Sequence, residues 1–158
     1  MRLSSSNHSP SPSSTAAGSN ITSLTITAPG GILAPAQIEA AIQPAAGYRT
    51  PTSMVALENS HNLAGGRITP VARMRELVAA AKAHDLPVHL DGARIHNSAA
   101  ALGVPAAEIA DGCDTVMFCL SKGLGAPIGS LLVGDADLMA EARRVLQGLI
   151  EQRLRFHE

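Results

Sequence analysis

The order of apolar and polar positions divides the chain into a polar start and a remainder in which strand and helix patterns alternate. From Ser4 to Asn20 the residues are mostly Ser, Pro, Ala, Gly and Asn. Such a composition buries too little surface to offset the entropy of ordering, so residues 1–20 are expected to form a disordered tail. Ile21–Ala28 alternates β-branched with polar residues, and Pro29-Gly30-Gly31 makes a turn before a short helix beginning near Pro35. A loop over Gln43–Thr52 leads to a strand at Met54–Leu57. Thr69-Pro70 reads as an N-cap and first-turn proline for a helix running through His84, with Val71, Met74, Leu77, Val78 and Ala81 on its apolar face. Leu86–Leu90 follows as a strand, Ala93–Leu102 as a helix, Thr115–Leu120 and Ser130–Val133 as strands, and a last helix starts near Asp135.

This alternation predicts an α/β fold: a mostly parallel sheet with flanking helices, much of its parallel part buried on both faces. The link Gly123–Gly129 is too short for a parallel crossover, so the final two strands are expected to run antiparallel. A chain of 158 residues is long enough for one core, and one unit is expected over residues 21–158. Aromatic residues are only 2% of the chain, so that core must be Ala, Leu, Val and Ile.

Charge and composition then exclude several functions. Twelve Lys and Arg against thirteen Asp and Glu give a net charge of −1, with the basic residues scattered, which leaves no footprint for nucleic acid or anionic membrane. No run approaches the roughly 18 apolar residues of a membrane span. The start lacks the apolar stretch of a secretory signal, although its Ser-rich, acid-free character faintly resembles a transit peptide. Asn7-His8-Ser9 and Asn20-Ile21-Thr22 therefore fit the glycosylation pattern by chance. Cys113 and Cys119 are too far apart for a CxxC motif and sit in an apolar stretch, as expected of buried, reduced thiols in a cytoplasmic protein. The histidines suggest no metal-ligand set, and no metal is expected.

Three polar clusters at predicted strand ends carry the candidate chemistry. Lys122 ends the apolar run Cys119-Leu120-Ser121 and opens a Gly-rich turn. Partial desolvation there would favour its neutral amine, the form that attacks an aldehyde to make a Schiff base, while Ser121 could donate to a phosphate. Asp91 lies just past the end of a second strand, where α/β sheets present ligands, and Arg94 follows one turn on with a fork suited to a carboxylate. Glu58-Asn59-Ser60-His61-Asn62 follows a third, and His61 could relay a substrate hydroxyl proton. Each cluster also fits a structural role: a surface lysine in a Gly-rich loop, an aspartate capping the next helix and pairing with Arg94, and polar residues organising the loop toward Gly65-Gly66. His84, His89 and His96 read as structural.

Taken together, in this order and spacing, the stretches LENSHNLAGGRITP, LPVHLDGARIHNSAAALG and CLSKGLGAPIGS closely resemble the L-threonine aldolases, pyridoxal 5'-phosphate (PLP) enzymes of the aspartate-aminotransferase-like fold. The likeness runs from about Ile32 to about Arg144. It implies that Lys122 forms the Schiff base with PLP, that Asp91 pairs with the pyridine nitrogen, and that Arg94 meets the cofactor oxygen and the substrate carboxylate. It also implies a helper role for His61. The implied reaction is retro-aldol cleavage of L-threonine or L-allo-threonine to glycine and acetaldehyde, in threonine catabolism and glycine formation, by a homo-oligomer. DGAR together with SKGLGAP argues against β-elimination or transamination on the same fold. Relative to that family the chain is expected to be truncated at both ends, lacking a ring-stacking group, a phosphate-gripping turn and a C-terminal arginine. The alternative is therefore an inactive fragment that acts only as an interaction partner of full-length aldolase subunits.

Overall fold

Two short runs show how the sheet is built: Val55–Glu58 and Val88–Asp91 each alternate buried with partly exposed side chains. Val55, Leu57, Val88 and Leu90 are at most 1% exposed, whereas Ala56, Glu58, His89 and Asp91 share the other, partly open face. The period of two places alternate side chains on opposite faces, and here only one face is fully buried. This corrects the expectation of burial on both faces: among the described residues the packed layer lies on one side of these strands.

The chain is described here by a computed structural model covering residues 2–3, 24–47 and 50–155. Its strands are β1 (Arg2–Leu3), β2 (Leu24–Thr25), β3 (Val55–Glu58), β4 (Val88–Asp91), β5 (Thr115–Cys119) and β6 (Ser130–Gly134), in the spatial order β2-β1-β3-β4-β5-β6. The sheet's centre, β3-β4-β5, is parallel; β6 runs antiparallel to β5, as the short link before it required, and β1 is antiparallel to both β2 and β3. Arg2 and Leu3 thus join the sheet although they fall in the stretch expected as a disordered tail. Residues 4–20 of that stretch, and 21–23 of the strand expected over Ile21–Ala28, lie outside the described residues.

The helices are α1 (Pro35–Ala41), α2 (Val71–Lys82), α3 (Ile95–Leu102), α4 (Ala106–Ile109) and α5 (Ala136–Arg155). Ile38 of α1, Met74, Leu77 and Ala81 of α2, Ile95 of α3 and Ile109 of α4 form one cluster with the buried face of β3 and β4. The core is aliphatic, as the scarcity of aromatic residues dictates, with Met74 the added filler. Pro70 is the N-cap of α2 rather than its first-turn residue, and no side chain caps it. Thr69 is buried one residue before that cap, and its backbone is held by Asn59, whose Nδ2 donates to the Thr69 carbonyl (2.9 Å) and whose Oδ1 accepts its N–H (3.2 Å).

Asp114 fixes the opposite, N-terminal edge of the parallel strands. It accepts the Val88 N–H and two contacts from Lys82 Nζ, all at 2.6 Å. Both cysteines are free and only partly buried; burial, then Asp114, pushes the Cys113 thiol up to about 11. Leu131, Leu132 and Val133 of β6 and Leu138, Val145, Leu146, Leu149 and Ile150 of α5 are between 42% and 57% exposed. No described helix is long and apolar enough to cross a membrane.

Candidate active site

Because β3, β4 and β5 are parallel, their C-terminal ends share one edge of the sheet. The register pairs Glu58 with Asp91 and Asp91 with Met117, so the segments after all three strands emerge side by side. Ligands of α/β sheets bind at such carboxyl ends. An open groove of about 450 Å³ lies on the partly exposed face, lined by Ala56, Leu57, Glu58, Asn62, Leu63, His89 and Asp91. A larger opening, about 700 Å³, runs along α5 from Ala136 to Gly148, but it contains neither carboxylate nor lysine. The smaller groove, by contrast, holds the carboxylates Glu58 and Asp91 and sits at the strand ends.

Asp91 is partly exposed at the groove, and its Oδ1 accepts the Ala93 N–H at 3.1 Å. It does not cap α3, whose N-cap is Arg94, and among the described residues no ion pair joins Asp91 to Arg94. The Arg94 carbonyl accepts the amides of Asn97 and Ser98, which fixes its backbone at the start of the helix. The turn between them is held against β5: the Gly92 N–H donates to the Met117 carbonyl at 2.7 Å. A Cβ on Gly92 would stand 3.0 Å from that oxygen and 3.2 Å from Ile95 Cβ, so glycine is what lets the turn close on its neighbour.

Lys122 is exposed, as is Ser121, and this corrects the expected desolvation of the lysine. β5 ends at Cys119, and the chain turns outward through a loop closed by Leu120 N–H to Gly129 O (2.9 Å) and Gly125 N–H to Lys122 O (3.0 Å). The loop rests on α3: a Cβ at Gly123 would fall 2.3 Å from Asn97 Oδ1. Gly123 thus admits the Asn97 side chain of the neighbouring helix, which seats the lysine loop. Asn97 was not singled out from the sequence; the available hint was the polar run His96-Asn97-Ser98 in the first turn of a helix that is apolar beyond it.

After β3, Glu58 Oε1 accepts the Asn62 N–H at 3.1 Å, and Glu58 Oε2 lies 3.4 Å from His61 Nδ1. His61 also pairs through its backbone with Arg67, and Arg67 Nε donates to Gly30 O at 3.0 Å. The hydrogen bonds of this cluster organise the loop, and its Glu58 and Asn62 line the groove, while His61 stands behind Glu58 outside that lining. His89, read as structural, proves to be a groove residue. Its Nδ1 is 2.8 Å from Thr115 Oγ1, and burial lowers its pKa against the opposing pull of Asp91. Its two-residue spacing from Asp91 on a strand was the sign that both face the same way.

A planar aldehyde cofactor could be held here by Asp91 at the groove and by Lys122 and Ser121 on the loop beyond it, although the groove lining itself carries no lysine or arginine. The groove has the size of a ligand site, about 300–1,000 Å³, with a partly exposed carboxylate at its edge and, past the adjacent strand, a loop carrying an exposed amine and hydroxyl. Among the described residues no cluster could hold a metal ion.

Fold and edge together define an α/β protein with an open groove at the ends of its parallel strands. The Beta-eliminating lyase family model matches residues 9–155. The chain is 40% identical over 133 residues to an uncharacterised protein of Caenorhabditis elegans, covering 84% of this chain and 32% of that one. It is 41% identical over 114 residues to low-specificity L-threonine aldolase 1 of Arabidopsis thaliana, covering 71% and 32%. The solved threonine aldolase of Leishmania major superposes with a TM-score of 0.68 at 24% identity, over 78% of this chain and 36% of that one, a likeness of fold. The chain belongs to the beta-eliminating lyase family. It spans about a third of the length of the curated relatives it matches.

Proposed function

We propose that this chain carries the cofactor site of a PLP-dependent lyase that cleaves L-threonine and L-allo-threonine to glycine and acetaldehyde. The observation that supports this reading is the emergence of Glu58–His61, Asp91–Arg94 and Ser121–Lys122 from three adjacent strand ends, in a chain of this family. PLP, when bound, supplies an electron sink for the pair released from the substrate's Cα–Cβ bond. Asp91 holds the proton on the pyridine nitrogen, Lys122 Nζ holds the cofactor covalently and Ser121 donates to its phosphate. Arg94 contacts the cofactor oxygen and pairs with the substrate carboxylate. His61 takes the β-hydroxyl proton as the Cα–Cβ bond breaks, so that the departing carbon leaves as acetaldehyde and a proton returned to Cα completes glycine.

The test uses a feature of the sequence: Lys82 and Lys122 are its only lysines. Wild type and Lys122→Ala are incubated with PLP, treated with borohydride and digested for mass spectrometry. The reading expects one pyridoxyl group, on the Lys122 peptide, and threonine-dependent acetaldehyde release that the variant lacks. Equal labelling of Lys82, which Asp114 holds, would sink it as adventitious surface chemistry.

A second reading, a non-catalytic partner of full-length aldolase subunits, is favoured by the exposed leucines and valines of β6 and α5. It predicts a mixed oligomer on co-expression with such a subunit and no specific label on Lys122. The first reading expects a homo-oligomer.

A further inference from the structure

Glu58 and His61 form a unit whose consequence extends beyond ordering the loop. His61 Nδ1 is buried and among the described residues has no hydrogen bond; its neighbour is Glu58 Oε2 at 3.4 Å. The other oxygen of the same carboxylate accepts the Asn62 N–H, which ties Glu58 to the backbone next to the histidine. A carboxylate cannot turn away from the ring without giving up that bond. On the far side of the imidazole, Gly31 lies close enough that a Cβ there would be 3.5 Å from His61 Cδ2. The ring is thus bounded by a carboxylate on its Nδ1 side and by backbone at its Cδ2 edge.

We infer that Glu58 is a positioning residue that holds His61 in the Nδ1–H tautomer and so leaves the lone pair on Nε2, the nitrogen that takes up a substrate proton. An ionised carboxylate only accepts hydrogen bonds, so a nitrogen facing it must carry the hydrogen. In neutral imidazole the other nitrogen is then the acceptor, the arrangement by which a base is set by the group behind it. The assignment of a role to Nε2 rests on the proposed cleavage reaction; the tautomer rests on the geometry alone.

The two can be tested apart. Nitrogen NMR of the histidine rings, recorded without cofactor at alkaline pH on ¹⁵N-labelled wild type and Glu58→Gln, reads the tautomer directly, with His61→Gln identifying the resonance. In the variant the amide oxygen can keep the Asn62 bond while its NH₂ faces Nδ1, which then becomes the acceptor. The expected result is Nδ1–H in wild type and a shift of the tautomer ratio toward Nε2–H by at least about tenfold in the variant. Wild-type His61 in the Nε2–H form, or an unchanged ratio in a folded variant, would overturn the inference. If Glu58→Gln does not fold, the wild-type tautomer alone decides. In protein that labels at Lys122 and cleaves threonine, the variant should lose about tenfold or more in kcat with little change in KM. Failure of labelling would count against the lyase reading and leave the tautomer result standing; an unchanged tautomer with intact labelling would remove this inference alone.

Discussion

Replacing Asn59 by Ala removes a side chain that imitates a backbone ladder. Asn59 is fully buried, donates to the carbonyl of Thr69 and accepts its N–H, and so closes the ten-residue segment that carries His61, Asn62 and Leu63. Its own backbone N–H meanwhile continues the parallel pairing by donating to Asp91 O at 3.1 Å. Truncation leaves two backbone groups of a residue only 1% exposed without partners. An unpaired buried polar group costs about 1–3 kcal/mol, so Asn59→Ala is expected to destabilise the fold by about 2–4 kcal/mol after partial relaxation toward water. Asn59→Asp should do no better, because an oxygen would then face the Thr69 carbonyl. The assay is urea unfolding followed by circular dichroism, with hydrogen exchange of the Thr69 amide as the local readout. A loss under about 0.5 kcal/mol with Thr69 exchange unchanged would show that the side chain does not hold the loop.

Other outcomes follow from the same geometry. For Asp114, burial works to raise the carboxyl pKa, but the Lys82 contact and the Val88 N–H together carry it below the ordinary value. Its stabilising contribution is therefore present above the ordinary carboxylate pKa and lost as pH falls through the lowered one. The difference in urea midpoint between wild type and Asp114→Asn should shrink over that acidic window, and a pH-independent difference would refute the assignment. His89, its pKa lowered by burial against Asp91, should titrate by NMR below the ordinary histidine value of about 6.5, and further below it in Asp91→Asn. Its neutral form favours the fold above that value, and stability should fall as pH drops from it toward the lowered pKa; a midpoint above 6.5 would contradict this. Gly123→Ala should displace the lysine loop and lower borohydride labelling of Lys122, since the new Cβ meets Asn97 Oδ1. Adding Asn97→Ala should restore it, and no rescue would mean that the loop is seated by something else.

Much of the fold was legible because strands and helices alternate with the right periods. The apolar face of α2 was visible from its spacing, and Met74, Leu77, Val78 and Ala81 are buried on it. The antiparallel β6 followed from the length of one link. Local chemistry misled at Thr69, which looks like an N-cap, whereas Pro70 takes that position and Asn59, ten residues earlier, holds the Thr69 backbone. The four-residue α4 was missed because a single turn shows no periodicity. The two-faced burial expected of β3 and β4 failed for a related reason, since alternating Glu58, His89 and Asp91 mark one face as polar, a pattern submerged in the short apolar runs. At the site, the strand-end position of Asp91 was readable from where an apolar run stops, whereas Lys122 lies on the loop past the end of β5. The exposure of Lys122 was not readable, because it depends on how the Gly-rich loop leaves the sheet, whereas His89's place in the groove was signalled by its two-residue spacing from Asp91.

The clamp of Lys82, Val88 and Asp114 stands at one end of the parallel strands, and the segments bearing Glu58, Asp91 and Lys122 leave from the other. What keeps the strands in register is thus remote from what would meet a ligand. Substitutions that retune specificity can accumulate in the loops after β3, β4 and β5 while the anchoring end stays untouched, so selection can explore new substrates without eroding the scaffold that presents them.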